Sequence, residues 1–332
     1  MPISINALSL RPDGAGVSTY IRELLHALPE HWQSACTVLV QRDALRELPP
    51  GVHVEMVRAQ AGGRRALTGL LQHVPGPVHG LDVDLPLRLP GCSLATVHDL
   101  SVFDVPWAFS PVRIRGERAL VSHALRRADL VLAVSQFTAD RVRVRFGRDC
   151  IVTPEAPGRD MVPAGEAELC RVRERYALPA IFVLHVGTVE PRKDVPRLAE
   201  ACELAGMPLL LAGGGTVAGL PHKVRRLGFV PRSDLAALFG LATVTAYISQ
   251  YEGFGLPPVE ALACGGRVVS TRVGDLPALL GDSVVWAPHD IDGLVRALRE
   301  AASGERPAGP VLSWDVTATA TTEAWIALGA TP

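Results

Sequence analysis

An excess of charge of either sign is the first thing missing. Lys plus Arg number 33 against 34 for Asp plus Glu in 332 residues, so no overall field favours nucleic acid or an anionic membrane, and any basic surface has to be local. Paired cysteines are missing too. Cys36, Cys92, Cys150, Cys170, Cys202 and Cys264 form no CxxC and no metal-ligand spacing with histidine, which points to a reduced, cytoplasmic setting. No run of about 18 apolar residues occurs, and the opening MPISINALSLRPDG has neither a basic n-region nor a long apolar h-region. The expectation is a soluble, unexported chain. Internal repeats and low-complexity tracts are absent as well.

What is present is length enough for two domains, each able to bury a core. Short runs rich in Val, Ile and Leu recur: ISINAL, CTVLV from Cys36, LATV from Leu94 and LVLAV from Leu130. They are too short for helices and too apolar for half-exposed strands, which fits strands buried in a parallel sheet. Helical patterns such as VSTYIRELLHAL and PVRIRGERALVSHALRRA lie between them. A second series, IFVLHVG, PLLLAGGG, TVTAYIS and RVVST, follows the Pro/Gly-rich TPEAPGRDMVPAGE. The pattern predicts an N-terminal α/β domain over 1–158, a second over 159–310, and a terminal segment, 311–332, whose helix has Ser313 as N-cap candidate and, in Trp314, Trp325 and Ile326, apolar surface to dock on something, with the N-terminal domain the expected place. Ligands of such sheets bind beyond the carboxyl ends of the strands.

Several loops at those ends carry chemistry. SQYEGFGLPPVEALACGG places Glu252 before a helix opened by Pro257 and Pro258, and Glu260 in its first turn. The intervening Gly253 and Gly255 admit a close backbone approach. Carboxylates beside a phosphate-binding helix start suit sugar hydroxyls, which points to a nucleotide sugar; the competing account is a solvated Glu252 and a Glu260 that merely favours a helix start. In TVEPRKD, Arg192 and Lys193 follow Pro191 at the expected opening of another helix and supply countercharge for a diphosphate. DGAGVSTY, with Gly14 and Gly16, is a second glycine turn before a helix. His98 ends the strand in TVHDL, either aimed at a ligand or bonded structurally to a neighbour. Asp82 and Asp84 invite a divalent-cation reading, which the Pro-flanked loop and the Arg192–Lys193 pair disfavour. The arginines of RVRVRFGR and of the Pro111 helix form either a solvated face or a weak contact with a membrane surface or lipid phosphate.

Taken in order, GAGVSTYIREL, VHGLDVDLP, TVHDL, ADLVLAVSQFT, VGTVEPRKD, LGFVPRSDL, SQYEGFGLPPVEALACGG and SWDVTATATTEAW resemble the retaining glycosyltransferases of family four, or group 1, mannosyltransferases among them. The resemblance covers nearly the whole chain. It implies the GT-B architecture, an α/β fold of two Rossmann-like doubly wound parallel-sheet domains facing each other across a cleft, with the acceptor on the first domain and the donor on the second. It implies that Glu260 binds the donor ribose and Glu252 attends to the transferred sugar. By the same resemblance Arg192 and Lys193 meet the diphosphate, His98 acts in the active site, and Gly14 and Gly16 lie near the phosphates. Phe254, Gly255 and Leu256 present backbone amides, Gly228, Phe229 and Val230 line the base, and Ser135 and Thr138 edge the cleft. Where the family commonly has Pro-Asn-Gly, this chain has Pro154, Glu155 and Ala156, and Arg267 stands where a proline is common; both are taken as scaffold positions.

The implied activity is metal-independent, cofactor-free transfer of a hexose, of mannose or glucose type, from a GDP-, UDP- or dTDP-sugar to an acceptor hydroxyl with retention. The acceptor is a glycan, a lipid-linked glycan or a small natural product in bacterial envelope or natural-product glycosylation. The expected location is cytoplasmic, at most peripheral to the inner face of the membrane. A sugar-nucleotide epimerase of similar fold and a catalytically silent donor-binding subunit are the alternatives. A nicotinamide dehydrogenase is disfavoured because no GxGxxG follows the first strand.

Overall fold

The computed structural model describes residues 1–58, 62–89, 91–216, 220–221 and 224–332. The chain divides into two compact units, residues 1–155 with 313–332, and residues 156–312. The first therefore ends at Glu155, three residues before the boundary expected from the Pro/Gly-rich stretch.

The first unit is built on a parallel sheet of seven strands among the described residues: β1 (Ser4–Asn6), β2 (Thr37–Gln41), β3 (His53–Val57), β4 (Val78–Gly80), β5 (Ser93–Val97), β6 (Leu130–Ala133) and β7 (Ile151–Val152). Their order is β3-β2-β1-β4-β5-β6-β7. Ile5 is in register with Val38 on one side and His79 on the other. The chain winds outward from β1 to β3, then crosses to β4, so the strand order reverses between β1 and β4. Val78, Ala95, Val97 and Val131 pack with Val121, Leu125 and Val142 of the flanking helices Pro111–Arg127 and Gln136–Phe146.

The terminal helix Trp314–Ala327 belongs to this unit and is capped by Ser313, whose hydroxyl accepts from Asp315 N. Trp325 is fully buried, stacks edge-on against Trp32, and donates its indole N–H to His79 Nδ1 at 3.0 Å. An accepted bond at Nδ1 leaves the His79 proton on Nε2, which meets Thr96 Oγ1 at 2.9 Å. Burial holds this histidine neutral and lowers its pKa to about 3.

The second unit repeats the plan with β8 (Val183–Val186), β9 (Leu209–Ala212), β10 (Arg225–Gly228), β11 (Val244–Tyr247), β12 (Val268–Ser270) and β13 (Val285–Trp286), all parallel, in the order β10-β9-β8-β11-β12-β13. Here the order reverses between β8 and β11. One face is covered by the helices Val195–Ala205 and Ile291–Ser303, through Val195, Leu198, Leu294 and Leu298. Each unit thus has a topological switch point, where the loops after two neighbouring strands part and leave a crevice.

No helix among the described residues is long and apolar enough to cross a membrane. The six cysteines are free. The arginines of the helix Gln136–Phe146 are largely paired: Arg141 and Arg145 both meet Asp104, and Arg143 meets Asp149.

Candidate functional site

In the second unit the loops that follow β8 and β11 meet at the switch point, and backbone bonds fasten them. Gln250 N donates to Arg192 O at 2.9 Å, and Ser249 Oγ donates to Tyr251 O at 3.1 Å. Arg192 lies between the two loops. Its Nε meets Glu190 Oε2 at 2.9 Å, and its Nη1 reaches Tyr251 O at 2.6 Å and Glu252 Oε1 at 2.7 Å. Burial pushes the Glu252 carboxyl up, but the charges of Arg192 and Lys193 outweigh it and hold the group ionised, below its ordinary range. Arg192 is raised in turn: its burial disfavours the cation, and Glu252 more than compensates.

Lys193 is 7% exposed, with Nζ 5.6 Å from the centre of the Tyr247 ring. Gly187, which follows β8 at φ +127°, makes room for it: a Cβ there would lie 2.7 Å from Nζ. Beneath them His185 is buried in β8 and donates from Nδ1 to Ala246 O at 3.2 Å. Burial, then the neighbouring Lys193, lower its pKa to about 4, so the positive charge here belongs to Arg192 and Lys193.

Two expectations need correction. Pro191 opens only a 3-10 turn, Pro191–Lys193, and the α-helix begins at Val195 after Asp194 adopts φ 41°. This keeps Arg192 and Lys193 on a tight turn at the strand end instead of along a helix. Glu260 lies in the second turn of Leu256–Ala263, because the helix opens at Leu256, one residue before the prolines. Gly255 caps that helix at φ 95°, and a Cβ on it would meet the Leu276 side chain at 3.0 Å. Glu252, Phe254, Leu256 and Glu260 are all buried. Gly228 ends β10 at φ 70°, where its carbonyl accepts from Gly213 N at 2.7 Å; Phe229 beside it is 56% exposed and Val230 is buried. An open aromatic ring at a strand end is the geometry a base stacks on.

In the first unit a second group gathers at the carboxyl ends of β1, β4 and β5 and just past β7. His98 Nε2 is 2.9 Å from Leu81 O, its Nδ1 is 3.6 Å from Glu155 Oε1, and Tyr20 meets its ring edge-on at 4.8 Å. Ser9 Oγ donates to Asp82 Oδ2 at 2.8 Å, and Arg65 pairs with Asp84 and touches Ser9. Burial and the Asp82 charge raise the Asp84 carboxyl to about 7. For Asp82, burial is outweighed by His98 and Arg65, so it stays low. These aspartates face Ser9 and Arg65, and among the described residues no group of three or more His, Cys, Asp or Glu side chains is arranged to hold a metal ion.

Gly14 and Gly16 lie after β1, with Gly16 opening the helix Gly16–Ala27. Gly14 packs so closely on Ser18 that a Cβ would sit 1.9 Å from its hydroxyl. Ser135 and Thr138 serve the helix Gln136–Phe146: Ser135 Oγ accepts from Thr138 N at 3.0 Å, and Thr138 Oγ1 bonds His98 O at 3.4 Å.

Sequence reasoning missed Glu190, Tyr247, Tyr20 and Glu155. For Glu155 a signal existed, a charged side chain between Pro154 and Ala156 where a strand has just ended. A further signal marks Lys193, since the chain has two lysines, Lys193 and Lys223, among its 33 basic residues. A compact ammonium fits beside Gly187 where a guanidinium fork is too broad.

Residues 172–308 match the family model described as glycosyl transferases group 1. O-antigen chain mannosyltransferase B of Escherichia coli is 35% identical over 241 residues, 65% of this chain and 62% of that protein. The D-inositol 3-phosphate glycosyltransferase of Mycolicibacterium paratuberculosis is 29% identical over 263 residues, 73% of this chain and 59% of that protein. The match therefore spans about three fifths of either relative's length. Among solved structures, HepE of Anabaena in complex with UDP and glucose superposes with a TM-score of 0.68 at 18% identity, over 99% of this chain and 95% of that one, a likeness that shows the GT-B fold. Residues 172–308 are thus similar to the group 1 glycosyltransferases, and the chain has the GT-B fold.

Proposed function

We propose that the chain transfers a hexose from a nucleoside diphosphate sugar to an acceptor hydroxyl, with retention of anomeric configuration. The observation that carries this is the charge arrangement at the β8–β11 switch point. Arg192, bound to an ionised Glu252, and Lys193, packed on Tyr247, stand together at the carboxyl end of β8.

Cleavage of the sugar–diphosphate bond leaves an oxocarbenium-like sugar and concentrates negative charge on the departing diphosphate. Groups that meet that charge more strongly than the ground state lower the barrier. Lys193 is the principal cation for it, with backbone amides of Phe254 to Leu256 at the start of the helix adding positive dipole. Arg192 shares itself with Glu252, so it fixes the carboxylate that orients the sugar hydroxyls while adding countercharge. Glu260 binds the ribose, and Phe229 with Gly228 and Val230 receives the base. On the first unit, Gly14, Gly16 and His98 are proposed to take part in the reaction. No side chain is assigned as a covalent nucleophile; attack from the face of the departing phosphate is the proposed route. Because Arg192 and Lys193 supply the countercharge, the reaction is expected to proceed without a metal.

The likeness to O-antigen chain mannosyltransferase B supports mannose as the first sugar to test, and the HepE complex supports including UDP-glucose. The acceptors proposed are glycans or lipid-linked glycans of the bacterial envelope, or small natural products. Replacing Lys193 with Gln tests the reading: turnover should fall by about 10²–10³-fold, with the fold retained by circular dichroism. Near-normal turnover in K193Q contradicts it, and loss of wild-type turnover in EDTA contradicts the metal-free part.

A further inference from the structure

We infer that Glu155 is the positioning residue for His98: its buried carboxylate, 3.6 Å from Nδ1, holds the ring against the Leu81 carbonyl and keeps both ring nitrogens protonated. The argument begins at Nε2. A carbonyl oxygen only accepts, so the 2.9 Å contact with Leu81 places a proton on Nε2. The second nitrogen then faces a carboxylate. Without a proton between them, two lone pairs would oppose each other inside the protein; with one, the negative charge of Asp82 and the Leu81 carbonyl favour its place on the ring, giving an imidazolium and a carboxylate. Glu155 is 5% exposed and the His98 side chain 13%, and a buried carboxylate facing a neutral partner costs several kcal/mol.

The surrounding groups act in the same direction. Tyr20, from the helix Gly16–Ala27, packs its ring at 87° to the imidazole and sets the ring plane. Asp82, in the loop after β4, contributes negative charge. Arg65 opposes it in part but is paired with Asp84 and stands 4.0 Å from Asp82. The adjacent Asp99 is turned away, its carboxylate accepting from Ser101 N at 2.8 Å and Ser101 Oγ at 2.6 Å. Burial works against the charged ring, yet Glu155, Asp82 and the Leu81 carbonyl outweigh it and raise the pKa above the ordinary histidine value.

The consequence deepens the function proposed above and rests on it. With Nε2–H donated to Leu81 and a protonated Nδ1 facing the Glu155 carboxylate, His98 has no ring lone pair with which to take a proton from an acceptor hydroxyl. It offers a fixed positive charge, and Glu155 determines up to what pH that charge persists.

The test uses the full chain labelled with ¹⁵N-histidine, with His98 assigned by its disappearance in H98Q. In the wild type His98 should show the paired nitrogen shifts of an imidazolium at pH 6.5, with a midpoint above that of a free histidine amide. In E155Q the midpoint should fall by about one unit, a tenfold change in proton affinity, and E155D should recover part of it. A wild-type His98 that is neutral at pH 6, or an unchanged midpoint in a folded E155Q, overturns the inference. If E155Q does not fold, the wild-type spectrum and D82N, expected to lower the midpoint by less, decide it. Turnover provides a separate readout: its alkaline limb should follow the NMR midpoint in wild type and E155Q. A wild type that turns over no sugar nucleotide refutes the transferase reading while the spectra still judge the ion pair.

Discussion

Arg192 spends its donors on Glu190, Tyr251 and Glu252, so its removal acts on stability as well as on any ligand. R192A strands the Glu252 carboxylate in the interior. Thermal and denaturant melts should show a loss of about 3–5 kcal/mol, partly restored in R192A/E252Q, where the stranded charge is gone. Equal stability of the single and double variants would contradict the pairing. The pH dependence has a definite sign. Glu252 is held below its ordinary value, so its contribution is complete above the unfolded glutamate pKa of 4.5 and is lost as pH falls through the lowered native value. The stability gap between wild type and E252Q should therefore narrow on acidification from pH 7 to pH 3, read by melts at each pH. At this scale the residue types were legible in TVEPRKD and SQYEGFG, but the pairing was not. Nothing in a linear spacing reveals that residues 192 and 252 lie in the loops after neighbouring strands.

The elements that carry the site depend on two left-handed glycines. A methyl group at Gly187 would press on Lys193 Nζ, and one at Gly255 on Leu276, with both backbones at positive φ. G255A should cost at least about 1–2 kcal/mol from backbone conformation alone, measured by denaturant unfolding. G187A should weaken donor binding, as Lys193 is displaced, measured by calorimetry. In the first unit, W325A should cost about 3–5 kcal/mol, because the terminal helix would lose its anchor on Trp32 and His79. The central strands and principal helices were legible, since β1, β2, β5, β6, β8, β9, β11 and β12 lie within short stretches rich in Val, Ile, Leu and Ala. The edge strands β3 and β10 were not. HVEMV and RRLG face water on one side and so lack the run that marks a buried strand. Glu155 lies where a strand gives way to a Pro/Gly-rich stretch, and only the fold brings it to His98.

For the molecule as a whole, a formal net charge of −1 means that the proposed anionic donor would be drawn by local charge, at the β8–β11 switch point. A ligand that binds only the folded state at 100 times its Kd stabilises it by about 2.7 kcal/mol, which a thermal shift of the full chain would register. The central claim is that this charge serves a nucleoside diphosphate sugar. The direct measurement is a calorimetric and turnover panel of GDP-, UDP- and dTDP-sugars, GDP-mannose and UDP-glucose included, on the wild type, K193Q and E252Q in EDTA. The expected result is saturable binding and turnover of at least one donor by the wild type, with binding weakened in K193Q and turnover lost in E252Q. No binding of any donor, or binding and turnover indifferent to both substitutions, would contradict it.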